Sequence, residues 1–166
     1  NAGEKVYFRT SDLTASEDGI GTFTIISGKC NVGGNIMSMA YGADFEGKTV
    51  ITQKYQFRKL FFGAANIVNA SLLLLPAMTL ARYCYSDMFY GCTSLVNAPA
   101  LPATTLASYC YSNMFQGCTS LVNAPALPAT TLANVCYHAM FSGCTNLSEA
   151  PALPATTLVN YCYEYM

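Results

Sequence analysis

The residues whose chemistry most needs explaining in this 166-residue chain are eight cysteines, one histidine and three threonine pairs. Seven cysteines fall into two columns, Cys84, Cys110, Cys136 and Cys162, then Cys92, Cys118 and Cys144, each with a spacing of 26 residues. Four thiolates can close a tetrahedral zinc site, but no C-x2-C pair occurs and His138 is the single imidazole, so no metal or other cofactor is expected. Cys136 and His138 offer a nucleophile and a base, yet residues two apart on a helix face different ways. A Ser–His–Asp set would need the same His138, which stands where Ser86 and Ser112 stand elsewhere and reads as a surface substitution. The residues therefore offer no convergent acid, base and nucleophile, and the expectation is a chain without catalytic activity.

These columns exist because the chain repeats itself. Residues 83–108, YCYSDMFYGCTSLVNAPALPATTLAS, recur as 109–134 with three changes and as 135–160 with more. Residues 55–82 are a worn copy with two extra residues in the stretch Ser71 to Leu74, and 161–166 open one further copy. The parent protein is expected to continue beyond Met166. Stacked copies would hold equivalent cysteines ~4.8 Å apart and pointing the same way, whereas a relaxed disulfide brings Cβ atoms to ~3.8 Å with crossed side chains. Buried free thiols are thus the leading reading, with disulfides between the columns, or to Cys30, as the alternative.

Leu106, Cys110 and Met114 recur four apart, which predicts a short helix from Thr105 to about Phe115. Pro102 and the Thr104-Thr105 pair are its start signals and Gly117 its left-handed stop. On that reading the pairs Thr104-Thr105, Thr130-Thr131 and Thr156-Thr157 are helix caps rather than an ice-matching array. Leu121 to Leu127 predicts a short strand, interrupted where Pro125 has no N–H to donate. The expected fold class is α/β: a right-handed-type, leucine-rich-repeat-like solenoid over 55–166, with one strand and one short helix per 26-residue coil. Tyr83, Tyr109 and Tyr161, and Tyr85, Tyr111, Tyr137 and Tyr163, read as rings packed from coil to coil, with sugar or protein contact as the alternative.

Residues 1–54 are expected to form a β-rich N-terminal cap that seals the first coil. Strands are expected at 5–9 and 22–26, with a third around Cys30 to Met39. Phe45-Glu46-Gly47-Lys48-Thr49 echoes the F-x-G-x-T of the repeats and suggests a degenerate coil grading into the array.

The string M-F-x-G-C-T-x-L-x-x-A-P-x-L-P-A-T-T-L resembles the BspA-type leucine-rich repeats of bacterial cell-surface proteins, over residues 55–166. Lys5-Val6-Tyr7-Phe8 and Gly34-Asn35-Ile36-Met37-Ser38 resemble the lead-in segments that precede such arrays. The resemblance implies export to the cell surface or secretion, and an adhesive or protein-binding role toward a protein or glycan ligand on a host or neighbouring cell. This repeat is longer than the common pattern and carries small Ala where large aliphatics often sit.

Charge narrows the partners. Formal net charge is −1, and every Lys and Arg lies at or before Arg82. With no basic stripe in the repeats there is nothing to neutralise phosphates, so nucleic acid is not an expected partner. No apolar run approaches the ~20 residues that span a bilayer, so membrane insertion is not expected. The expected binding surface is the concave strand face, where Val96, Asn97, Pro99, Val122, Asn123, Pro125, Ser148, Glu149 and Pro151 should project outward. The rival reading is a structural spacer, favoured by the near-identity of the copies at 83–108 and 109–134.

Overall fold

A computed structural model describes residues 19–23 and 28–166. The expected strand at 5–9 and most of that at 22–26 lie outside the described residues. Within them, equivalent residues of successive copies sit over one another, and neighbouring coils are joined by backbone hydrogen bonds. Three ladders carry this stacking. One is a run of parallel bridges through Asn69, Asn97 and Asn123, the second passes through Val50, Thr79 and Thr105, and the third is a wall of turns.

The wall occupies the segments expected to be helical, and it is not α-helix. In the second copy Cys84 N–H donates to Ala81 O, Ser86 to Tyr83, Met88 to Tyr85, Tyr90 to Asp87 and Cys92 to Phe89, each closing a four-residue turn at 3.1–3.3 Å. The residues between them bond to the next coil instead: Tyr85 N–H to Cys110 O at 3.0 Å, Asp87 to Ser112 at 2.9 Å, Phe89 to Met114 at 2.9 Å and Gly91 to Gln116 at 2.8 Å. An α-helix would spend all these donors within its own coil. Splitting them leaves half to knit one coil to the next.

The dihedral angles explain how the chain does this. φ is positive at Tyr83, Asp87 and Gly91, at Tyr109, Asn113 and Gly117, and at Val135, Ala139 and Gly143, every fourth residue. Each positive φ falls at the third residue of every second turn, as a type II turn requires, so type II turns alternate with turns lacking it. Gly, Asn and Asp reach this region at little cost, whereas Ala139 and the β-branched Val135 are strained there. A Cβ at Gly117 would meet Gly91 Cα at 3.7 Å, an ordinary contact, so conformation alone decides. Ala139→Gly should therefore raise unfolding free energy by about 0.5–1 kcal/mol and Gly117→Ala should lower it by about 1 kcal/mol. Urea titrations of both variants check this; shifts of the same sign would contradict the left-handed assignments.

The four-residue turn pair also sets the core. Cys84, Met88 and Cys92, with Tyr85 and Phe89, are wholly buried, and their equivalents repeat the pattern in the next coil. Rings stack along two columns, Phe57 over Tyr85, Tyr111, Tyr137 and Tyr163 at 5.7 Å, and Phe61 over Phe89, Phe115 and Phe141 at 5.2–5.8 Å.

The wall is polarised. Its cross-coil N–H groups all point toward the following coil, which leaves the first coil's carbonyls facing the N-terminal side. Residues 19–23 run along that edge: Phe23 N–H donates to Leu60 O at 2.8 Å and the Thr22 hydroxyl to Lys59 O at 3.0 Å. β1 (Cys30–Asn35) then pairs in parallel with β2 (Ile67–Leu74), placing Asn31 on Asn69, and Val50 bridges Thr79. Between them lie α1 (Ser38–Tyr41) and a 3-10 helix over Gly42–Phe45. The two extra residues of the worn copy fall in β2, which lengthens its pairing. Gly33 suits this close approach, because a Cβ there would come within 3.2 Å of Leu72 Cβ, a tight contact.

The expected strand at Leu121 to Leu127 reduces to one bridge at Asn123. The short ladder expected from Pro125 is what the backbone shows. The threonine pairs have no helix to cap. Thr104, Thr105, Thr130, Thr131, Thr156 and Thr157 are exposed, and Thr105 bridges Thr79.

Candidate binding faces

The cysteines build no reactive centre among the described residues. All eight are free and seven are buried. The Cys92, Cys118 and Cys144 thiols each donate to the carbonyl of Phe61, Phe89 and Phe115 in the preceding coil at 3.1 Å, so these S–H groups serve as cross-coil donors. Burial pushes Cys92 up to about 12 and both Cys136 and Cys144 up to about 11, and it raises Cys84, Cys110 and Cys118 as well. A thiol held protonated is a poor nucleophile and a poor metal ligand. Cys136 lies inside the wall while His138 lies on its outer side, with Nε2 3.3 Å from Glu164 Oε2. The two are separated by the wall rather than by a helical turn, so they do not act on one substrate atom.

The strand face holds a groove of about 520 Å³ across the second and third copies. Asn97, Pro99, Asn123 and Pro125 line it, as expected. Asn97, Val122, Asn123, Ser148 and Glu149 are exposed and Val96, Pro125 and Pro151 are half-buried. Pro99 is buried, a correction: Asn97 is the single residue of its segment held in a bridge, so the chain does not alternate in and out as a strand would, and Pro99 forms floor rather than rim. Val96, Val122, Ser148, Glu149 and Pro151 stand outside the groove. Sequence reasoning missed Ala98, Ala100, Ala126 and Pro128, which shape its walls. Their signal is the string A-P-A-L-P, whose small side chains leave room above the backbone.

A second furrow, of about 510 Å³, runs over the outer side of the turn wall. Tyr55, Tyr83 and Tyr109 stack along it with ring centroids 5.0 and 4.4 Å apart. Arg58 covers the rings of Tyr55 and Tyr83 at 5.7 and 5.8 Å, and Arg82 those of Tyr83 and Tyr109 at 5.0 and 5.6 Å, cation–π contacts that stiffen the first rungs. Beside them Asp87 accepts from the Ser86 hydroxyl at 2.9 Å and from Asn113 Nδ2 at 3.0 Å, and pairs with Arg58 Nε at 3.4 Å. The ladder of outer tyrosines breaks at Val135 and resumes at Tyr161.

Among the described residues no helix is long and apolar enough to cross a membrane. No family model, curated protein or solved structure matches the chain, so its likeness to BspA-type repeats rests on the repeat residues themselves.

Proposed function

We propose that the chain is a non-catalytic, surface-exposed binding or adhesion module, built as a solenoid of BspA-type leucine-rich repeats and directed at a protein partner. The observation that carries this reading is the uncharged groove across the second and third copies, floored by Pro99 and edged by Asn97 and Asn123. A groove of that size, with few polar groups at fixed spacing, suits an extended segment of a partner better than a small charged substrate. The repeats contribute no Lys or Arg beyond Arg82, which favours a partner recognised by packing and amide hydrogen bonds.

The test is binding of the chain to immobilised extracellular-matrix proteins, with Asn97→Arg/Asn123→Arg as the groove variant. Saturable binding that weakens at least tenfold in the variant, with unchanged thermal unfolding, is the expected result. A second reading, a structural spacer, is favoured by the near-identity of residues 83–108 and 109–134. Absence of saturable binding by the folded chain would leave the spacer reading standing and the adhesion reading refuted.

A further inference from the structure

The outer tyrosine ladder has one missing rung. Rungs elsewhere in it lie 4.4–5.0 Å apart, so Tyr109 and Tyr161, on either side of Val135, are two rungs apart, roughly 10 Å at the ordinary spacing of stacked strands. Val135 is buried, and its short side chain fills only the root of the gap. A tyrosine ring reaches several ångströms beyond a valine methyl, so the outer parts of Tyr109 and Tyr161 face each other across a slot. A flat ring seated there would lie about 5 Å from each phenol, the distance at which rings stack.

The surroundings set what kind of ring. Arg58 and Arg82 cover the rungs up to Tyr109, and residues 83–166 hold no Lys or Arg, so none from these copies covers the slot between Tyr109 and Tyr161. Hydrogen-bonding groups line the same furrow: Ser112, Asn113, His138 and the half-exposed Glu164 carboxylate. Two aromatic walls with a carboxylate, an imidazole and an amide at the edge match a pyranose, whose C–H faces pack on rings and whose rim hydroxyls need donors and acceptors. A spherical organic cation would instead need walls on more than two sides.

We propose that this slot is a carbohydrate subsite, taking one pyranose of a surface glycan between Tyr109 and Tyr161 with its hydroxyls on His138, Glu164 and Asn113. It lies on the turn wall, on residues separate from the Asn97–Pro128 groove, so it stands or falls independently of the protein-binding reading above.

The experiment is a two-dimensional NMR titration of the chain with methyl β-glucopyranoside, methyl β-galactopyranoside and methyl 2-acetamido-2-deoxy-β-glucopyranoside, with tetramethylammonium and p-cresol as controls. At least one glycoside should perturb Tyr109, His138 and Tyr161 saturably. Val135→Tyr completes the ladder, and it should abolish that response while raising Tm by about 3 °C. Tyr161→Ala removes one wall and should weaken binding at least tenfold with the fold retained. No response to any of the three glycosides, a response confined to tetramethylammonium or p-cresol, or glycoside binding undiminished in Val135→Tyr would each overturn the proposal.

Discussion

Taking the protein from pH of about 8 to about 10 in the presence of a reductant should unfold it, with loss of the far-ultraviolet signal and without any change in ionic strength. The cause is the interior thiols. Released into water, a cysteine gives up its proton near 9.0, whereas burial holds Cys92 protonated to about 12 and raises Cys84, Cys110 and Cys118 too. Between those values the unfolded chain binds fewer protons than the folded one, so stability falls as pH rises; below 9.0 the contribution is fully present. One pH unit above the free value each such thiol withdraws about 1.4 kcal/mol, and these four together withdraw about 5.6 kcal/mol. That is comparable with the entire stability of a small domain, about 5–15 kcal/mol. Tyr85, raised by burial first and by the Cys84 and Cys110 thiols second, and Tyr111, raised by burial first and by the Tyr85 phenol second, add to the loss above 10.0. Replacing Cys110 and Cys118 by Ala should move the alkaline midpoint upward even though it lowers stability at neutral pH. Unfolding free energy that stays flat to pH of about 11 would show that these thiols are not held in the interior as described.

The same columns show how much the sequence disclosed. The period of 26 is plain in the letters, and the buried set Cys84, Met88, Cys92 and Leu95 follows from it without knowledge of the backbone. What the letters concealed is the conformation of the wall. Apolar residues at Leu106, Cys110 and Met114 fit a period of 3.6 and a period of 4.0 equally well over ten residues, so the helix reading rested on the commoner structure. The discriminating signal was polar. Gly91 and Asp87, Gly117 and Asn113 are residues tolerant of positive φ set four apart, a spacing that a helix interior has no use for. Tyr83 and Tyr109, also at positive φ, carry no such mark, because their place is set by ring stacking with the next coil rather than by local preference. Of the strand face, Asn97 and Asn123 were legible from their place in the repeat. The burial of Pro99 was not, since a single bridged residue gives no alternation to read.

Substituting Phe for Tyr85, Tyr111 and Tyr137 together should raise the unfolding free energy by about 3 kcal/mol, an unusual result for three simultaneous core changes. Among the described residues these three phenol oxygens, with that of Tyr163, are buried and have no hydrogen-bond partner. An unpaired buried hydroxyl costs about 1–3 kcal/mol relative to its hydration in the unfolded chain. Thiols of the first cysteine column lie near enough to influence all three phenols, and sulfur accepts weakly. The rings themselves do not need the oxygen: Phe57 heads the same column and stacks on Tyr85 at 5.7 Å with 16° between planes, against 13° between Tyr85 and Tyr111. Phe therefore fits the rung, and the loss is one small atom's packing against recovery of its desolvation. The converse substitution, Phe57→Tyr, adds a hydroxyl at a wholly buried position and should lower stability by about 1–2 kcal/mol. Urea unfolding of both variants reads the two signs directly. A loss of stability in the triple variant would mean that the phenols are bonded in solution, to ordered water or to sulfur. The column would then be a satisfied polar network that fixes coil register rather than a cost carried by the core.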